Sequence, residues 1–309
     1  MKQTLILARQ SIARLLPPDD TRLSPQLRRA IERIYQAELS NSRFQDEAMR
    51  IGNAAAYPVF VLALMMFALT RDINMVIGIL KPRTDYTAGL RFGISTPLLN
   101  ALISARQQGP LITSAAALEK LTLLDVVLVT RRVESKHAQM LGGLEEALRG
   151  RGIRLLPMDG LPNTAAELAL ERLKAEGVVV GLLGTSGDLP MDSRADVRIL
   201  LGAPAEMEIA QADVFLLESG LPGLIMALDI AWKSARVCKQ NTSLYGGAAL
   251  TNLAAVLLGL SPPALSGVIN TVTMATAGGN ALRLLPRSPR QRRDPRRLQE
   301  IVQAVEAGE

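Results

Sequence analysis

Thr84-Asp85-Tyr86-Thr87-Ala88-Gly89-Leu90-Arg91-Phe92-Gly93-Ile94-Ser95-Thr96-Pro97 is the stretch on which the reading of this chain turns. It lies inside an apolar segment, Ile73–Ser104, with Pro82 before it and Pro97 at its end. Proline has no N–H to give and crowds the carbonyl one turn upstream, so the pattern predicts a helix that breaks at Pro82, crosses a polar centre and resumes. In a membrane such a break is tolerated only where protein or a hydrated cavity surrounds it. Asp85 at that depth is a candidate for function, because a carboxylate there is costly. The competing reading pairs it with Lys81, Arg83 or Arg91 and makes it a neutralised kink.

Working outward, Ala54–Thr70 is uncharged and long enough to cross a hydrocarbon core. With the broken segment it makes a hairpin closed by Arg71–Asn74. A second hairpin, Leu244–Leu260 and Leu265–Leu285, turns at Ser261-Pro262-Pro263. Four membrane helices are therefore expected, in transmembrane hairpins 53–108 and 242–285. Residues 1–52 read as a cytoplasmic helical segment, with Leu27, Ile31, Ile34, Tyr35 and Leu39 on one face, and 286–309 as a basic tail. The two inter-helix loops carry almost no charge, whereas seven arginines lie between Arg283 and Arg297. The positive-inside rule then puts both termini and the centre of the chain on the cytoplasmic side of the cell (inner) membrane.

Composition agrees with a mixed membrane and water-facing protein. The 309 residues are 48% hydrophobic with net charge +6. One cysteine, Cys238, and one histidine, His137, exclude a disulfide framework and a Cys- or His-rich metal site. No cleavable signal peptide is expected, because Met1–Arg50 is charged throughout. The arginine cluster Arg287–Arg297 follows a span directly, so its expected partner is anionic lipid rather than nucleic acid.

Between the hairpins, residues 109–241 alternate short aliphatic runs with helical stretches. Asp125–Thr130, Ile153–Leu156, Val178–Leu183, Val197–Leu201 and Val214–Leu217 read as strands; Ala138–Arg149, Ala165–Glu176 and Leu221–Lys239 read as helices. Near-continuous apolar strands imply a parallel sheet covered on both faces, a doubly wound α/β fold. Ligands of such sheets bind at the carboxyl ends of strands, here near Thr130 and Gly184–Asp188. The glycines of Gly181–Gly187 form a turn that could cradle a phosphate, or a turn with no ligand.

The order of these parts resembles a heavy-metal-transporting P-type ATPase. The resemblance is carried by Ile94-Ser95-Thr96-Pro97, Leu118-Glu119, Leu124-Asp125-Val126-Val127, Leu161-Pro162, Ala175-Glu176-Gly177, Asp188 with Pro190, Ala195-Asp196-Val197, Ala212-Asp213-Val214, Gln240-Asn241 and Asn280-Ala281-Leu282-Arg283. It implies a HAD-like phosphorylation domain between membrane hairpins. The family's first strand ends in DKTGT, whose aspartate takes the γ-phosphate of ATP; the matching position is Thr130, and a threonine phosphate lacks the activated acyl linkage. Its GDGxND magnesium motif falls on Leu183–Asp188, so the first carboxylate becomes Gly184 and Asp188 alone remains. The expected lysine is Ala165.

Thr130 and Ile153 leave room for one helix, so the inserted ATP-binding domain is expected to be missing, and nothing like the actuator's TGE loop precedes Ala54. The expectation is a truncated, degenerate member with no catalytic residue and no bound cofactor. Where the family places an ion-binding motif, this chain has Asp85, Tyr86, Thr87 and Arg91. Asp85 and Asn270 are the metal candidates implied, for a hard or borderline divalent ion, since soft ligands for copper(I) are lacking. Asn252, Thr271, Thr273, Thr276 and Asn280 either line that route or act as interhelical glue. Gly246-Gly247 and Gly278-Gly279 allow close helix approach, pointing to a protein partner or a second copy through the membrane helices. Three functions stay open: an inactive accessory scaffold in metal-ion homeostasis, the membrane subunit of a transporter whose ATPase domains sit on another chain, and a membrane docking protein with no ion role.

Overall fold

The computed structural model describes residues 43–158, 170–187, 195–204, 208, 211–217, 219–259 and 263–286. Ala165, Asp188, most of the amino-terminal helical segment and the arginine cluster Arg287–Arg297 lie outside the described residues. Helices α1 (Arg43–Ala54) and α2 (Ala56–Thr70) lead into α3 (Ile73–Gln108). The corner between α2 and α3 is made by Arg71 in the left-handed region, φ 55°, and by Asp72, whose carboxylate accepts the Asn74 N–H at 2.9 Å.

Helix α3 is a single unbroken helix of 36 residues, which overturns the expected break at Pro82. An interior proline costs about 3 kcal/mol, partly through the carbonyl it leaves without a donor. At Pro97 that carbonyl belongs to Gly93, and Asn241 Nδ2 donates to it at 2.7 Å, replacing the missing bond. Packing holds the rest: Leu90, Ile94, Leu98, Ala101, Leu102 and Ala105 form one buried stripe along α3, so a bend would pull part of it out of contact.

The sheet has six strands: β1 (Pro110–Ile112), β2 (Val126–Val129), β3 (Arg154–Pro157), β4 (Val180–Thr185), β5 (Val197–Leu201) and β6 (Val214–Leu216). Their order is β1-β6-β5-β4-β2-β3, all neighbours parallel except β1 against β6. All five expected strands form. The sixth, β1, begins with a proline and has three residues, too short for an alternation to show; it closes the sheet at an edge, where proline is tolerated.

Strand residues alternate between two apolar faces. Val127 and Val129 join the large core with Leu144 and Leu148 of α5 (Arg131–Arg149) and Leu228 of α6 (Pro222–Leu257), whereas Val126 and Leu128 pack with Leu170 and Leu173 of helical residues 170–175. Helices on both faces make the sheet doubly wound. Three Asp-Val pairs open β2, β5 and β6. Asp125, Asp196 and Asp213 each accept a backbone N–H, from Val179, Val180 and Arg198, at 2.9–3.0 Å. These aspartates, prominent in the resemblance, therefore tie the amino edge of the sheet together.

Helix α5 starts at Arg131, seven residues before the expected Ala138. Its polar first two turns hid the helix, and the backbone departs from helical geometry at His137, φ −128°. Helix α6 runs from the sheet through Tyr245 to Leu257 without interruption, so the expected Leu221–Lys239 and Leu244–Leu260 are one element. α4 (Ala115–Leu121) and α7 (Pro263–Leu282) complete the chain. Gly89 and Gly93 let the Tyr245 ring pack on α3, where a Cβ would overlap it, and of the expected glycines Gly278 faces Phe92 of α3, whereas Gly246, Gly247 and Gly279 front open space. Among the described residues one helical segment, Met49–Thr70, is long and apolar enough to cross a membrane, against the four expected. The polar residues of α3, among them Lys81, Asp85 and Arg91, and the Ser, Thr and Asn content of α6 and α7 dilute the others.

Candidate functional site

The first candidate is the carboxyl edge of the sheet. From β2 the chain turns outward through α5 to β3, then crosses back to β4, so the switch in winding lies between β2 and β4. Thr130 follows β2 as the N-cap of α5, 5% exposed, and its N–H donates to Leu183 O at 2.9 Å. Gly184 is a buried strand residue of β4, so no side chain reaches out from it. The turn that follows is held by the chain's own groups. Glu208 accepts the Ser186 hydroxyl at 2.7 Å and the Gly187 N–H at 2.7 Å, and Arg132 Nη1 donates to Ser186 O at 3.2 Å.

A phosphate-cradling role for this turn is thereby overturned at Gly187, because a carboxylate already takes the donor an anion would use. Two buried oxygens near the same edge, Glu134 Oε2 and Thr185 Oγ1, have no hydrogen-bond partner. No group of three or more His, Cys, Asp or Glu able to hold a metal is present among the described residues. Between Thr130 and β3 stand only α5 and a turn ending at Ile153. Thr130 thus presents a hydroxyl at the N-terminus of α5, a group that carries phosphate as an ester and not as an acyl phosphate.

The second candidate lies among α3, α6 and α7. Asp85, Tyr86, Tyr245, Asn252, Asn270 and Thr273 enclose a cavity of about 10 Å³, the space of roughly one water molecule. The sequence candidates Asp85 and Asn270 thus meet, and Asn252 and Thr273 join them. Asp85 Oδ2, Tyr245 Oη and Asn252 Oδ1 are buried without a hydrogen-bond partner, and so is Ser266 Oγ on α7. Buried polar atoms normally have partners, at a cost of about 1–3 kcal/mol when they do not. One carboxylate among neutral oxygens suits a water or one small hard cation.

The other sequence candidates divide between bonds within α7 and bonds between helices. Thr271 and Thr276 are exposed and donate to carbonyls four residues back. Asn241 Nδ2 also reaches Ala277 O, at 3.3 Å, and Asn280 donates to Asn241 Oδ1 at 3.0 Å, joining α3, α6 and α7. Arg91 is exposed. Cys238 is buried, and burial, with Glu119 adding repulsion, pushes its thiol up to about 12, so it stays protonated and offers no soft thiolate. Sequence reasoning missed Glu208, which looks like any acid in a loop, and Tyr245, which looks like an interface aromatic.

No protein-family model matches the chain. It is similar to the probable copper-transporting ATPase PacS of Synechococcus elongatus, 31% identical over 134 residues that make up 41% of this chain and 18% of that one. A copper-exporting P-type ATPase of Mycobacterium tuberculosis is 28% identical over 134 residues, 43% of this chain and 18% of that one. The crystal structure of a zinc-transporting PIB-type ATPase in the E2.Pi state superposes with a TM-score of 0.63 at 15% identity, covering 84% of this chain and 67% of that one. The chain is a relative of the heavy-metal P-type ATPases. Its matched part spans less than a fifth of the length of these curated relatives, and the superposition speaks for the fold alone.

Proposed function

We propose that the chain is a catalytically inactive member of this group, an accessory or regulatory membrane scaffold in metal-ion handling. One observation carries the reading: the residue at the end of β2 is Thr130, and the chain passes from it to β3 through a single helix. An aspartate and an inserted nucleotide-binding domain are what phosphoryl transfer in this family needs there. Gly184 at the magnesium position supports the same conclusion. Tyr57, Phe60, Leu64 and Leu69 on α2, Leu250 on α6 and Val268 and Val272 on α7 are exposed apolar side chains, which supports these helices in lipid, and the loop charges support a cytoplasmic α/β part. The purified chain should release no phosphate from ATP with Mg²⁺. Release that disappears in Asp188→Asn would overturn the proposal.

The unpartnered oxygens around Asp85 favour a second reading, a transporter subunit whose ATPase domains are supplied by another chain. Asp85→Asn should then abolish metal efflux from cells, and unchanged metal tolerance would count against it.

A further inference from the structure

A second, larger concavity lies where α1, α4 and α6 meet. It is an open cleft of about 840 Å³, lined by Arg43 from α1 and by Trp232, Arg236 and Lys239 from α6. The three α6 residues stand at i, i+4 and i+7, one helical face. Two acids also border it. Glu119 is 3% exposed, and its oxygens accept the N–H groups of Arg43 and Phe44 at 2.7 and 3.3 Å, so that carboxylate is committed to the start of α1. Glu47 is exposed on α1. Three cations and two carboxylates therefore border the cleft, an excess of one positive charge, with Glu119 turned to the start of α1.

Its height along the molecule matters. Arg43 stands six residues before the apolar segment Met49–Thr70, and Lys239 stands where α6 passes from charged into uncharged sequence. Arg43 of α1 and Lys239 of α6 thus line one cleft near the start of the apolar sequence that follows each, and the half-buried Trp232 stands in its wall. We infer that the cleft binds the phosphate headgroup of an anionic phospholipid, with its acyl chains along the apolar surface that follows α1. This rests on the reading of α2 and the end of α6 as membrane helices. A lipid fits better than a soluble phosphate ester because Phe44, Leu123 and Trp232 give the cleft apolar wall beside its charge.

Trp232 is the only tryptophan, so its fluorescence reports on the cleft alone. The full chain in non-ionic detergent is titrated with phosphatidylglycerol or phosphatidylcholine carrying bromine high in the acyl chains. Saturable quenching is expected at a several-fold lower mole fraction of phosphatidylglycerol. Arg236→Gln with Lys239→Gln should raise that midpoint roughly tenfold or more and leave the phosphatidylcholine curve unmoved. Arg236→Lys should preserve it. Arg283→Gln, at the end of α7, should not move it.

Equal quenching by both lipids, an unmoved midpoint in the double variant, or an equal shift in Arg283→Gln would overturn the site. So would displacement by glycerol phosphate at matched concentration, which would assign the cleft to a soluble ester. Both substituted side chains are exposed, so the fold should survive; should the double variant misfold, Lys239→Gln alone is read the same way. Release of phosphate from ATP bears on the proposed inactivity, not on this cleft. A chain that stays monodisperse without detergent would instead remove the membrane reading beneath it.

Discussion

The sheet edge and the helical cavity, the two places where a relative of the heavy-metal ATPases would do its work, have changed in opposite ways. At the edge the frame persists and the proposed loss is of chemistry: β2 and β4 stand in register, Val129 opposite Leu183, Thr130 and Gly184 stand where the resemblance puts the reactive residues, and Glu208 is turned onto the Ser186-Gly187 turn. Among the helices the polarity persists and the frame differs from expectation: α3 is unbroken, and Tyr245 fills the space over Gly89 and Gly93. Strands held by backbone ladders tolerate exchange of the residues that follow them. A helix path depends on what packs against each turn.

The largest effect should come from the helical frame. Gly89→Leu would drive a side chain into the Tyr245 ring and should destabilise by about 1–3 kcal/mol or more, seen as an early melt in detergent and relieved by Tyr245→Ala. No change in melting would break the contrast at its structural end. Asn241→Leu leaves Gly93 O, freed by Pro97, without a donor in a buried place and should cost about 1–3 kcal/mol. At the sheet edge, Glu208→Ala should loosen the turn by about 1 kcal/mol for the hydrogen bonds lost, measured as faster amide exchange at Gly187.

Tyr245→Phe removes an oxygen with no partner and should be neutral or slightly stabilising. A clear loss of stability would mean that the hydroxyl has a bound partner, which favours the transporter reading. Smallest of all, Cys238 should react with iodoacetamide far more slowly than a free cysteine at pH 7–9. Its raised value means the thiolate appears only as pH climbs toward about 12.

The strands were legible because burial on both faces leaves no polar alternation: Val126-Val127-Leu128-Val129 can be little else beside helices. The Asp-Val pairs were legible as a collinear series, though their work at the amino edge was not. What stayed hidden depends on partners distant in sequence. Asn241 replaces the donor lost to the Gly93 carbonyl at Pro97 from 148 positions away, and at Pro82, where a break was expected, α3 continues as helix. Glu208 meets Ser186 across 22 positions, and the cavity around Asp85 needs α6 and α7 beside α3. Asp85 and Asn270 were found as types of residue out of place, and Tyr245 was not, since a tyrosine in an apolar run attracts no notice.

The claim that the frame of a pump remains here without its phosphoryl chemistry is tested most directly by the intact mass of the purified chain after incubation with ATP and Mg²⁺. The account predicts an unchanged mass. A gain of one phosphoryl group that hydroxylamine removes, the mark of an acyl phosphate, would contradict it.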